Sequence, residues 1–157
     1  MKERLSLKTE DAIISDVKDA YLKVMVNIEL TYGWQSAVID QRFKDFQLSR
    51  QQYNVLRIVR GQHGALLSVN DIKLRMLDKM SNVTRLIDKL EERKLLTRTE
   101  GEDDRRVRWV SITPKGRELM DKLDKVIPEI TDQFSALSHD EASQLTHLLE
   151  KYRAGKS

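Results

Sequence analysis

Apolar residues along most of this chain recur three and four positions apart, the spacing that lines them up on one face of an α-helix. The first long stretch, about Asp11 to Phe46, sets Ile14, Val17, Tyr21, Val24, Met25, Ile28, Tyr32 and Gln35 on one broad stripe that continues through Ile39 and Phe43. Gly33 within it loosens the helix at a cost of ~1 kcal/mol relative to Ala. A shorter helix, Arg50 to Gly61, is expected to bury Tyr53, Val55, Leu56 and Val59 and to end in the turn Gly61 to Gly64. Leu66-Leu67 reads either as a very short strand or as a buried connector. Near the C-terminus, Leu119, Leu123, Val126, Ile127, Ile130, Phe134 and Leu137, then Leu145, Leu148, Leu149 and Tyr152, form two more amphipathic stretches, with Pro128 expected to kink the first.

Helix starts carry their own chemistry. Ser49 with Gln52, Ser68 with Asp71, and Ser138 with Glu141 each place a hydroxyl three residues before a side chain that can reach back to the unpaired backbone N–H. Thr113-Pro114 adds a capping hydroxyl and a proline at the first helical position, where its missing N–H is harmless. Helices therefore begin near residues 50, 69, 114 and 139.

Between Ser68 and Thr113 the period changes. Ser68 to Met76 predicts a short helix with Val69, Ile72 and Met76 inward, and Leu77 to Met80 a turn, with Asp78 or Ser81 as the cap of a second helix. That second helix, about Ser81 to Lys94, buries Val83, Leu86, Ile87 and Leu90, which leaves Asn82, Thr84, Arg85, Lys89 and Arg93 on or near the open side. Leu95 to Glu100, a charged tip from Gly101 to Arg106, and Val107 to Thr113 then read as a β-hairpin, rich in β-branched residues on its return strand. Helix, turn, helix, hairpin is the order of a winged helix-turn-helix, so the fold class is mainly α with a small β wing.

Charge sharpens this picture. The 157 residues carry a net charge of only +3, but Lys73 to Arg117 holds 13 basic and 8 acidic residues while Glu118 to Ser157 holds 5 and 8. A basic middle suits an anion-binding face, and a solvated surface would give the same gradient. The absence of cysteine excludes disulfides, thiolate zinc sites and thiol nucleophiles. No secretory signal and no membrane-length apolar run is visible, so a cytoplasmic protein is expected.

A helix that enters the major groove needs small polar side chains and arginine near its N-terminal end, where base edges offer donors and acceptors. Asn82, Thr84 and Arg85 supply that set, although an ordinary amphipathic helix would also expose a polar face. In the tip, Asp104 either folds back to brace the loop and aim Arg106 into a narrow minor groove, or pairs with Arg105 as an exposed ion pair worth ~0 to 1 kcal/mol.

The run Asp104-Arg105-Arg106, followed by Val110, Ile112, Thr113 and Gly116 and preceded by Asn82-Val83-Thr84-Arg85-Leu86-Ile87-Asp88-Lys89-Leu90-Glu91, resembles the MarR family of bacterial transcriptional regulators. The resemblance extends from about Val24 to Arg153. It implies one MarR-like domain over 1–157, with dimerisation helices at 11–46 and 118–154 around a winged helix-turn-helix lobe at 49–113. It further implies a homodimer on a pseudo-palindromic double-stranded DNA operator, a sequence-specific regulator that acts as a repressor. Ser81, Asn82, Thr84 and Arg85 would then face the major groove and the Asp104 and Arg106 pair would form the wing element, with Arg106 entering the minor groove; Lys89 and Arg105 are further DNA-binding candidates. A small phenolic or anionic effector is the third partner it suggests, with Tyr32, Trp34 and Tyr53 as aromatic candidates and Arg57 or Arg60 as carboxylate partners. One departure stands out: family members commonly carry Gly after the recognition helix, where this chain has Lys94. Either the turn differs, or a non-glycine residue accepts positive φ at ~1 kcal/mol.

Two other classes compete with this one. An enzyme lacks support, since His63, His139 and His147 are scattered and no phosphate loop, metal spacing or cofactor motif is present. A dimeric winged-helix module that binds another protein, without reading DNA, is the alternative.

Overall fold

Asp19 decides where the long N-terminal helix begins. Its side chain accepts the Leu22 N–H at 2.8 Å, and helix α1 runs from there over Ala20–Lys44. The computed structural model describes residues 13–62, 64, 66–101 and 107–155. The expected single helix from Asp11 to Phe46 is therefore shorter: residues 17 and 18 leave the helical path before Asp19 opens a new one. Its end is equally chemical. Gln47 takes φ 54°, and Leu48 N–H reaches back to the Phe43 carbonyl at 3.1 Å, the bond pattern that closes a helix through a left-handed residue.

The chain divides into two compact units, residues 1–50 and 51–157. In the first, Phe43 and Leu48 are buried, whereas Tyr21, Val24, Met25 and Tyr32 of the expected stripe lie exposed. Arg50 ties this unit together. It donates to Asp40 Oδ1 at 2.9 Å and to Ser36 Oγ at 2.6 Å, with its guanidinium 5.4 Å from the Tyr32 ring centroid.

The second unit holds the remaining elements: α2 (Arg50–Arg60, from Gln51 onward), β1 (Leu67–Ser68), α3 (Val69–Arg75), α4 (Val83–Glu92), β2 (Leu96–Glu100), β3 (Arg108–Ile112), α5 (Pro114–Asp132) and α6 (His139–Ala154). Leu67 settles the connector as a strand. It pairs antiparallel with Val110, and β3 pairs on its other side with β2, giving the order β1-β3-β2. The core gathers Val55, Leu56, Val59, Leu67, Ile72, Met76, Val83, Ile87, Leu90, Leu96, Val110, Met120 and Leu123. Tyr53 and Leu86, expected inside, are only half-buried. The Ser68–Asp71 and Ser138–Glu141 boxes form as read, each with both reciprocal bonds.

Helix α6 has no buried residue: Leu145, Leu148 and Tyr152 are exposed, as is Leu137 before it. Helix α5 continues through Pro128 to Asp132.

The turn after α4 is the tightest junction in the unit. Lys94 adopts φ 60°, its N–H bonds to Glu91 O at 2.7 Å, and Leu95 N–H bonds to Leu90 O at 2.9 Å, a Schellman closure with lysine where glycine is usual. Of the two readings of Lys94, positive φ is the one the chain takes. Thr113 then locks this turn to the start of α5. Its hydroxyl donates to Lys94 O at 2.7 Å and accepts Gly116 N–H at 3.0 Å, while its own N–H bonds to Leu95 O at 3.1 Å. A Cβ on Gly116 would overlap the Leu95 carbonyl oxygen and lie 2.8 Å from Ile112 Cγ1.

Gly116→Ala is thus expected to lower stability by about 1–3 kcal/mol, because backbone must move to admit the methyl. Lys94→Gly relieves the left-handed residue, and the gain, reduced by the freer unfolded chain, is expected to reach at most about 1 kcal/mol. Urea unfolding midpoints check both; a neutral Gly116→Ala would show that the junction is slack.

Candidate nucleic-acid interface

The helix-turn-helix is built by one carboxylate. Asp78, in the turn between α3 and α4, accepts the Met80 N–H through Oδ1 at 2.9 Å and the Ser81 hydroxyl through Oδ2 at 2.9 Å. These bonds, the Met80 amide first, hold its carboxyl below the usual carboxylate range. Lys79 Nζ donates to the Leu74 carbonyl at 2.6 Å, satisfying an acceptor near the end of α3. With Asp78 engaged in the turn and the Ser81 hydroxyl donated to it, neither caps α4. The cap is Asn82, whose Oδ1 accepts the Arg85 N–H at 3.1 Å, and the helix begins at Val83 rather than at Ser81. Either expected cap is corrected by one position or more, since the turn uses the groups that the cap would have needed.

The predicted groove-facing residues distribute unevenly. Thr84, Arg85 and Lys89 are exposed on α4, opposite the buried Val83, Ile87 and Leu90. Asn82 is exposed too, but its oxygen serves the cap, which leaves its amide N–H groups to face outward. Ser81 is half-buried. Asp104, Arg105 and Arg106 lie outside the described residues. The described part of the hairpin closes through a 2.9 Å bond from Gly101 N–H to the Val107 carbonyl.

Arg98, on β2, is a residue that sequence reasoning missed. Its Nε donates to Glu91 Oε2 at 2.8 Å and its Nη2 to Asp88 at 2.6 Å, while Glu91 Oε1 accepts the Arg98 backbone N–H at 3.0 Å. Two carboxylates one helical turn apart on α4 therefore hold the outer edge strand of the sheet. Those bonds to Glu91 raise the guanidinium's pKa further above its ordinary value. Only the Asp88–Glu91 spacing is visible in the sequence, and nothing in it names the partner.

Comparison with known proteins agrees with this geometry. The sequence profile of the MarR family matches residues 46–107. The uncharacterised HTH-type transcriptional regulator YkoM of Bacillus subtilis (strain 168) is 39% identical over 84 residues, which cover 53% of this chain and 54% of YkoM, about half its length. The crystal structure of a MarR transcription factor from Planctomyces limnophilus is 31% identical, covers 85% of this chain and 98% of that one, and superposes with a TM-score of 0.68. The chain belongs to the MarR family. A further similar structure, Bordetella bronchiseptica BpsR, whose DNA binding is regulated by 6-hydroxynicotinic acid, is 28% identical. It covers 83% of this chain and 98% of BpsR, with a TM-score of 0.74. This protein is accordingly a winged-helix transcriptional regulator of the MarR family. Among its described residues no helix is long and apolar enough to cross a membrane.

The candidate effector residues of this MarR-family chain fall in both units. Tyr32, beneath Arg50, and Trp34 are exposed in the first. Tyr53 and Arg57 belong to α2 in the second, where burial pushes the Tyr53 phenol up and Arg57 partly offsets it. Arg57 is exposed and donates to Asn54 Oδ1 at 3.1 Å. Arg60, the other expected carboxylate partner, is engaged within the fold. It makes two bonds to Asp124 on α5, at 2.7 and 2.8 Å, which hold the Asp124 carboxyl below the usual carboxylate range.

That pair gives a pH signature. A carboxylate whose folded pKa is depressed adds stability above its unfolded pKa of about 3.9, and the contribution is lost as pH falls through the lower folded value. Asp124→Asn is expected to destabilise the protein at pH 7, with the gap to wild type closing below about pH 4. Thermal melts at stepped pH check it; a gap that persists at pH 2 would assign the effect to packing.

Proposed function

We propose that this protein is a homodimeric, sequence-specific repressor that binds a pseudo-palindromic DNA operator and releases it on binding a small phenolic or anionic effector. The observation that carries the reading is the N-capped α4, fixed by a braced turn at one end and a Schellman closure at the other, with Thr84, Arg85 and Lys89 on its open face. A helix held this way presents its side chains without a large ordering cost when it enters a groove. Arg106, which the sequence assigns to the hairpin tip together with Asp104 and Arg105, would meet the adjacent minor groove. Ser81 and Asn82 would border the backbone at the mouth of the major groove.

Dimerisation rests on the open apolar faces. Tyr21, Val24 and Met25 of α1 and Leu145, Leu148 and Tyr152 of α6 are exposed in the single chain, and burying such side chains contributes about 1.5–3 kcal/mol each. The terminal helices of a second copy are their proposed cover, which would set two reading helices about 34 Å apart. Tyr32 and Trp34 in the first unit, and Tyr53 and Arg57 in the second, are each candidate effector contacts, and the effector would favour a lobe spacing that DNA does not accept. The hydroxylated aromatic acid that regulates BpsR supports that chemical class. The reading places the protein in the cytoplasm with its DNA.

Selection from random duplexes, followed by anisotropy at stepped salt, tests it. Affinity is expected to fall with a log–log slope near −0.9 per phosphate contact. Arg85→Ala should relax base preference at one position in each half-site by about 1–3 kcal/mol, and Arg106→Ala should weaken binding most at A·T-rich flanks. Salt-insensitive binding, or no selected duplex at all, would turn the reading toward a protein partner.

A further inference from the structure

Met80 is the most exposed large apolar residue described in the chain, at 93% of its surface, and Leu77 and Leu74 before it stand at 80% and 75%. Such display is not left to chance. Asp78 fixes the Met80 N–H and the neighbouring Ser81 hydroxyl, and the next residue, Asn82, caps α4. The turn thus fixes the backbone from which an unbranched, polarisable side chain projects, two residues before the Asn82 cap of the proposed reading helix, whose Thr84 and Arg85 are also exposed. From α3 to the first turn of α4 the exposed charges are Lys73, Arg75, Asp78, Lys79 and Arg85, and the carboxylate among them, Asp78, is engaged by its turn bonds. An apolar tip flanked along the chain by exposed cations matches a polyanion that itself displays an apolar group. In the major groove of DNA that group is the C5-methyl of thymine.

Resting on the DNA-reading function above, we propose that Met80 is a specificity-determining residue that packs against a thymine methyl in each operator half-site. Asp78 acts as its positioning residue, because the bonds that shape the turn set where Met80 stands.

Replacing thymine by deoxyuridine removes the methyl and keeps the base pair, so a selected operator can be scanned one symmetric thymine pair at a time. Wild-type protein is expected to lose about four-fold in affinity per methyl at one such pair, the worth of one buried CH₂ group. Met80→Ala should bind the thymine operator as weakly as wild type binds the uracil one, and should lose nothing more on the substitution. Met80→Leu should keep part of the discrimination. Unchanged thermal melts of both variants, expected for so exposed a side chain, exclude a folding defect. The proposal is overturned if uracil is tolerated at every position, or if Met80→Ala remains as methyl-sensitive as wild type. In either case operator binding itself would stand, and Leu74, Leu77 and Met80 would pass to a protein partner. Failure to select any duplex would overturn both readings together.

Discussion

Much of the second unit depends on one carbonyl oxygen, that of Leu95. It accepts the Thr113 backbone N–H and lies within 3.1 Å of the Thr113 hydroxyl, and it occupies the space where residue 116 would carry a Cβ. Helix α4 ends, strand β2 begins and helix α5 is capped within a few ångströms of it. The Thr-x-x-Gly sequence at 113–116 has a physical meaning here: threonine bridges two segments, and glycine lets them approach. Lys115 adds a third link, its ammonium donating to Arg93 O at 3.0 Å. The left-handed Lys94 is tolerated because these neighbours over-determine the turn.

The same helix is held along its length by Arg98. A lone surface ion pair contributes little, but a guanidinium shared by two carboxylates, one of which also takes the backbone N–H, forms a network with fixed geometry. It also answers a problem common to small sheets. β2 is an edge strand, and Glu91 covers one of the N–H groups that such an edge presents. Helix α4 and the hairpin are therefore joined by side chains as well as by the chain itself.

Local chemistry is legible in the sequence, and competition between neighbours is not. The boxes at Ser68 and Ser138 and the Thr113 cap need only residues three apart, and each forms as read. The α4 cap escapes such reading because Asp78, Ser81 and Asn82 are all good caps, and only the folded turn decides which of them is already engaged. Arg98 is invisible because its partners lie seven and ten residues away across a change from helix to strand. Periodicity marks the apolar stripes of α1 and α6 but does not say that one chain leaves much of them open. The wing residues Asp104, Arg105 and Arg106 remain a reading of the sequence.

Those open stripes have a thermodynamic consequence. Where a second copy completes the core of the first, folding and assembly share one equilibrium, and resistance to unfolding rises with the amount of protein present. On the proposed dimer, the chain would be least robust when scarce, and each newly made molecule would depend on an earlier one to reach full stability.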